Sequence, residues 1–141
     1  MESGIARSRL DLATGERFVT LRRQLGVTNF GMNQLVLEPR QRGRIHRHAH
    51  QEEVYLVLEG ALTLLVEREE HVLERGELVR VAPDLRRQLV NRGPERVVLL
   101  AVGGAGEHVG RDAEAFASWD DERGAPPQEV PLPEDLPVSP T

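Results

Sequence analysis

Between Arg17 and Val102 the chain is a succession of short apolar or alternating runs, each broken by Gly, Pro, Asn or charged residues. That pattern carries the two-residue period of β-strands and lacks the longer period of an amphipathic helix. Candidate strands are Phe18 to Arg23, Gly31 to Leu37, Arg44 to His48, Glu53 to Leu58, Leu62 to Arg68, His71 to Leu73, Leu78 to Val81, Arg87 to Val90 and Arg96 to Val102. So many short strands in one stretch suit an all-β, double-sheet or closed barrel. Glu59-Gly60, Arg75-Gly76 and Asn91-Arg92-Gly93-Pro94 supply the turn chemistry between them. The expected organisation is an N-terminal arm over 1–16, a barrel over 17–104 and a C-terminal segment over 105–141. In that last segment Asp112 is placed to cap a short helix of about two turns, with Ala115, Phe116 and Trp119 on one face. From Gly124 onward six prolines in eighteen residues favour an extended, polyproline-like tail, either disordered or laid over the barrel.

A chain of 141 residues is the size of one domain. No apolar run approaches the roughly 20 residues of a membrane-spanning helix, so no membrane partner is expected. The first dozen residues lack the continuous apolar stretch of a secretory signal, and a cytoplasmic location is expected. The formal net charge of −5 argues against a nucleic-acid partner. Cysteine is absent, so a metal would have to be held by His, Asp or Glu.

Three of the five histidines, His46, His48 and His50, lie at alternate positions in Arg44-Ile45-His46-Arg47-His48-Ala49-His50-Gln51-Glu52-Glu53. On a strand, that spacing puts them on one face. Two imidazoles two residues apart can present nitrogens to one cation at the ~2.0 to 2.1 Å that coordination requires. Glu53 lies five positions beyond His48 and would point to the opposite face of one uninterrupted strand. A turn over Ala49 to Glu52, with Glu53 opening the neighbouring antiparallel strand, would bring its carboxylate to the same interior point. The set is then two histidines and one carboxylate, able to hold Fe, Mn, Ni, Co or Zn. His50 is placed in the turn near solvent, or replaces a neighbour as ligand if the strand runs on. The plainer alternative is a solvated, positively biased strand flanked by Arg40, Arg42, Arg44 and Arg47.

These residues resemble the first motif of the cupin superfamily: Gly, five residues, His-x-His, three or four residues, Glu, six residues, Gly. His46, His48, Glu53 and Gly60 keep that spacing, while Gly43 lies only two residues before His46. The second motif is Gly, five residues, Pro-x-Gly, two residues, His, three residues, Asn. Gly76 and Asn91 fit its ends, Ala82 and Asp84 stand at the Pro and Gly positions, and Arg87 stands where the family has its fourth metal ligand. Alignment on Pro83 instead puts Gln88 there. The resemblance, over about Phe18 to Val102, implies a jelly-roll barrel with a central site, commonly dimeric, in a superfamily of dioxygenases, isomerases, storage proteins and binding modules. No nucleotide cofactor is expected.

Arg87 divides the functional expectations. A guanidinium about 6 Å from a divalent cation would repel it by roughly 5 kcal/mol at an effective dielectric of about 20. Under one reading His46, His48 and Glu53 still bind the metal, and Arg87 grips a small anionic substrate. Under the alternative no metal binds, and Arg87 pairs with Glu53 or clamps an anion in a ligand-binding or sensing module. Arg87 could also point outward into solvent. Tyr55 shares strand parity with Glu53 and is a candidate ligand contact or a core residue. Arg40, Arg42 and Arg44 form either an anion-attracting rim or a solvated edge, and His71 and His108 are expected in solvent. A barrel serving as a dimerisation element, with its tail exchanged between subunits, is a further possibility.

Overall fold

The alternation in the sequence becomes two facing antiparallel sheets. A computed structural model describes residues 4–104 and 112–138. Its elements are β1 (Phe18–Thr20), α1 (Leu21–Leu25), β2 (Gly31–Leu37), β3 (Ile45–His48), β4 (Glu52–Glu59), β5 (Leu62–Val66), β6 (Glu69–Leu73), β7 (Leu78–Val81), β8 (Arg87–Val90), β9 (Val97–Gly104), β10 (Ala113–Phe116) and a 3-10 turn at Pro127–Glu129. The first sheet has the order β1-β2-β9-β4-β7 and the second β10-β3-β8-β5-β6. Alternate residues point inward, so Tyr55 and Val57 of β4 meet Leu62 and Leu64 of β5, Leu89 of β8 and Leu99 of β9 in one core. Each such side chain contributes about 1.5–3 kcal/mol by leaving water. The core fills one end of the sandwich, and the other end holds a cavity of about 500 Å³.

Several expectations change. The strand expected over Phe18 to Arg23 stops at Thr20, where the chain turns into α1 and ends in the left-handed Gly26. The run from Leu62 to Arg68 ends at Val66, because Glu67 and Arg68, both at positive φ, form a two-residue turn that pairs Val66 with Glu69.

The short C-terminal helix is absent from its expected place. Residues 113 to 116 form β10 instead, pairing Ala113 with His48 and Phe116 with Ile45. The helix-favouring composition yields to tertiary pairing: Ala115 and Phe116 are buried, and the Arg86 guanidinium lies 3.7 Å above the Phe116 ring. Asp112 caps no helix. Trp119 shares no helical face with Phe116, and its indole N–H donates to Gln88 Oε1 at 3.3 Å.

The described part of the tail lies along the barrel. Arg42 Nε donates to the Glu134 carbonyl at 2.7 Å, Arg44 Nε to the Val130 carbonyl at 2.6 Å, and the Leu136 N–H to the Arg40 carbonyl at 2.8 Å. The stretch expected to be a rim or a solvated edge thus anchors the tail. Among the described residues no helix is long and apolar enough to cross a membrane.

Gly60 joins β4 to β5 at φ +76°, and a β-carbon there would lie 2.3 Å from the Arg96 carbonyl oxygen. Gly60→Ala therefore combines left-handed strain with a backbone clash. It is expected to lower unfolding free energy by at least about 2 kcal/mol, read as a lower urea midpoint.

Candidate metal centre

β3 and β4 are consecutive in sequence but lie in opposite sheets. The expected hairpin between them is replaced by a crossover from one sheet to the other, so Glu53 faces His46 and His48 from the opposite wall. Asp112 holds the crossover in place. Its carboxylate accepts the N–H of His50 at 2.9 Å and of Gln51 at 2.9 Å, and its Oδ1 lies 2.9 Å from His50 Nδ1. Paired backbone donors of this kind fix a turn that sequence alone leaves undetermined.

The result brings together His46, His48 and Glu53, each offering one ligand atom with all three within 4.8 Å of one another. His46 Nε2 lies 3.8 Å from Glu53 Oε1, and His48 Nε2 lies 3.6 Å from Glu53 Oε2. His46 Nδ1 is 3.2 Å from the Arg44 carbonyl, which can only accept, so the proton sits on Nδ1 and the Nε2 lone pair faces the cluster. His48 Nδ1 is buried 3.8 Å from Asp112 Oδ2 and makes no hydrogen bond among the described residues. The residues fit a divalent ion: two free imidazole nitrogens, one carboxylate, and a second carboxylate behind one imidazole.

Burial alone would push the Glu53 carboxyl up, but His46 and His48 outweigh it and hold Glu53 well below the usual carboxylate range. The Tyr55 hydroxyl donates to Glu53 Oε1. Burial first, then the Glu53 charge, pushes Tyr55 well above the ordinary phenol value, with Arg87 acting in the opposite sense. Tyr55 therefore stays protonated.

Arg87 is opposite His46 in the β3–β8 register and so points to the same inner face. The outward-pointing alternative is overturned: its side chain is 0% exposed. Nη1 lies 3.9 Å from Glu53 Oε1, Nη2 donates to the Ala82 carbonyl at 2.9 Å, and Nε and Nη1 have no hydrogen-bond partner among the described residues. Arg87 is not among the side chains that line the cavity. His50 stands apart from the cluster, 82% exposed and turned to Asp112. His71 is exposed 3.8 Å from Glu69, and His108 lies outside the described residues.

The cavity runs from this cluster along the first sheet. Beside Glu53 on that sheet stand Gly103 and then Gly31, with Ala101 next to Tyr55, and all three small residues line the cavity. A β-carbon at Gly103 would sit 3.0 Å from the Glu52 carbonyl and 3.6 Å from Glu53 Cγ. Sequence reasoning missed these residues and Asp112, whose partners His50 and Gln51 lie some sixty positions away with no motif to link them.

Asp112 also sets a pH dependence. Burial opposes its ionisation, but the N–H groups of His50 and Gln51 and the His50 ring outweigh that and lower its pKa from the ordinary value. A depressed carboxylate stabilises the fold fully above its unfolded pKa of about 3.9, and the contribution fades as pH falls through the lower folded value. Asp112→Asn should be less stable than the parent by about 1.5–3 kcal/mol at pH 7. The gap should narrow only below about pH 4, as measured by urea unfolding of both proteins across pH.

The family model for the cupin domain matches residues 33–103, half of the chain and the segment from β2 to β9. No curated protein matches. Among solved structures, a sugar phosphate isomerase from a cupin superfamily of Silicibacter pomeroyi is 27% identical, with 82% of this chain and 79% of that one covered and a TM-score of 0.63. A cupin protein from Bacteroides fragilis is 21% identical over 74% of this chain and 86% of that one, with a TM-score of 0.66. A Cupin 2 conserved barrel domain protein from Salinispora arenicola is 23% identical over 70% and 87%, with a TM-score of 0.60. One further match, a protein of Acidithiobacillus ferrooxidans, is spanned over only 58% of its own length. With the motif residues, the two facing sheets and the family model in agreement, this chain belongs to the cupin family.

Proposed function

We propose that this protein binds a divalent metal through His46, His48 and Glu53 and uses the adjoining cavity to bind or act on a small anionic organic molecule. The observation that carries the reading is the convergence of three ligand atoms from two facing sheets within 4.8 Å, at the head of a cavity of about 500 Å³. A bound divalent ion would supply Lewis acidity toward a ligand oxygen. Fe, Mn, Ni and Zn all accept this donor set.

The chain's own groups prepare the site. The Arg44 carbonyl fixes the His46 tautomer, Tyr55 steadies one oxygen of Glu53, and Asp112 backs His48. Arg87 offsets the charge of Glu53, so a divalent ion would leave the buried cluster with about two uncompensated positive charges, which an anionic ligand would offset. The Silicibacter relative's description as a sugar phosphate isomerase supports a sugar phosphate as the ligand class. A second reading rests on Arg87 itself: its full burial beside Glu53, in the place of a fourth ligand, favours a metal-free binding module held by that ion pair.

Elemental analysis decides between them. Untagged protein incubated with Fe(II), Mn(II), Ni(II) or Zn(II) and desalted should retain about one ion per chain, and a His46→Ala/His48→Ala variant should retain none. Arg87→His should raise metal affinity at least about tenfold by removing a repelling charge and adding a ligand. If both the parent and the double variant come through desalting without metal, the metal reading falls and the ion-pair module stands.

A further inference from the structure

The arginines that line the cavity with His46, His48 and Glu53 are Arg17, Arg22 and Arg44. They come from both walls: Arg17 precedes β1 and Arg22 lies in α1 on the first sheet's side, while Arg44 leads into β3 on the second. Among the described residues the arginine ion pairs involve Arg47, Arg68, Arg80, Arg87, Arg92 and Arg96, and none of these three.

Their hydrogen bonds go to neutral acceptors. Arg17 Nη2 donates to the Arg42 carbonyl at 2.7 Å and Arg44 Nε to the Val130 carbonyl at 2.6 Å, while Arg22 Nε is buried with no partner among the described residues. Burial lowers the Arg17 pKa from its ordinary value, Asp135 opposes that, and Arg44 adds to it as a like charge. The two carboxylates of the cavity are engaged elsewhere. Asp112 is taken by His50 and Gln51, and Glu53 by Tyr55, the two histidines and Arg87. Arg17 and Arg44 act on each other as like charges on a partly desolvated wall, with Asp135 offsetting Arg17 only in part and Arg22 lining the same cavity, an arrangement that is unfavourable unless an anion joins it.

We propose that Arg17, Arg22 and Arg44 form an anion-binding subsite that takes the phosphate group of a ligand whose other end reaches His46, His48 and Glu53. The proposal rests on reading this cavity as the ligand site, and it assigns the anion to these three residues instead of Arg87. Three guanidiniums match a dianion with three terminal oxygens better than a carboxylate with two. Pro127 and Leu132 of the tail line the same cavity, so the ligand would be enclosed between barrel and tail.

Calorimetric titration of the full chain with inorganic phosphate, in chelator and at low ionic strength, tests this without any metal. A dissociation constant of about 1 mM or tighter is expected, with acetate at least tenfold weaker. Arg22→Gln and Arg44→Gln, one from each wall, should each weaken phosphate at least tenfold, Arg22→Lys less so, and Arg75→Gln on the exposed surface not at all. Thermal unfolding of each variant verifies that it is folded. No phosphate binding, equal affinity for acetate, or binding indifferent to both Gln substitutions overturns the subsite. Metal retention measured on parallel samples without chelator separates the two claims, because a chain that binds phosphate and retains no metal keeps this subsite and loses the metal reading, and the reverse result does the opposite.

Discussion

The site depends on the short crossover that carries the chain from β3 in one sheet to β4 in the other. The connection has few residues and must expose backbone N–H groups as it leaves the ladder, and an unpaired buried donor is costly. The buried Asp112 carboxylate meets two of them, at His50 and Gln51. Because Asp112 directly precedes β10, the strand that flanks β3, the pairing of β10 with β3 and the geometry of the crossover are one structural unit. Moving Asp112 would change the relation between two histidines on one wall and a carboxylate on the other.

Much of this was legible in the sequence. The alternate spacing of His46 and His48, the turn-forming Gly60 and the alternating runs all act through local periodicity, and each leads to the strands and the inward histidines that the structure has. What escaped depends on partners far along the chain. The segment after Asp112 has the composition of a helix, and only the free edge of β3 makes it a strand. The Glu67-Arg68 turn has neither Gly nor Asn at its two positive-φ positions, so the strand was carried too far. Parity alone puts Glu53 on the face opposite the histidines and so demands a turn before it, but no local pattern says that β3 and β4 belong to different sheets.

Arg87 shows how one position sets the charge of the cluster. At the position opposite His46, a histidine would have added a neutral donor, whereas the guanidinium adds a permanent cation. The cation is tolerable because Glu53 lies 3.9 Å away and the Ala82 carbonyl takes one of its donors. Nε and Nη1 make no hydrogen bond among the described residues, so the burial of Arg87 is only partly compensated.

The wall beside Glu53 is built from Gly103 and Gly31, with Ala101 beside Tyr55, so much of the free space rests on bare main chain. Side chains can be shortened by substitution and backbone cannot. At Gly103 and Gly31 the space beside Glu53 can therefore be narrowed by adding atoms but not widened by removing them. Room for a larger ligand would have to come from side chains elsewhere around the cavity, such as Leu35, Leu89, Pro127 and Leu132, which still have atoms to lose.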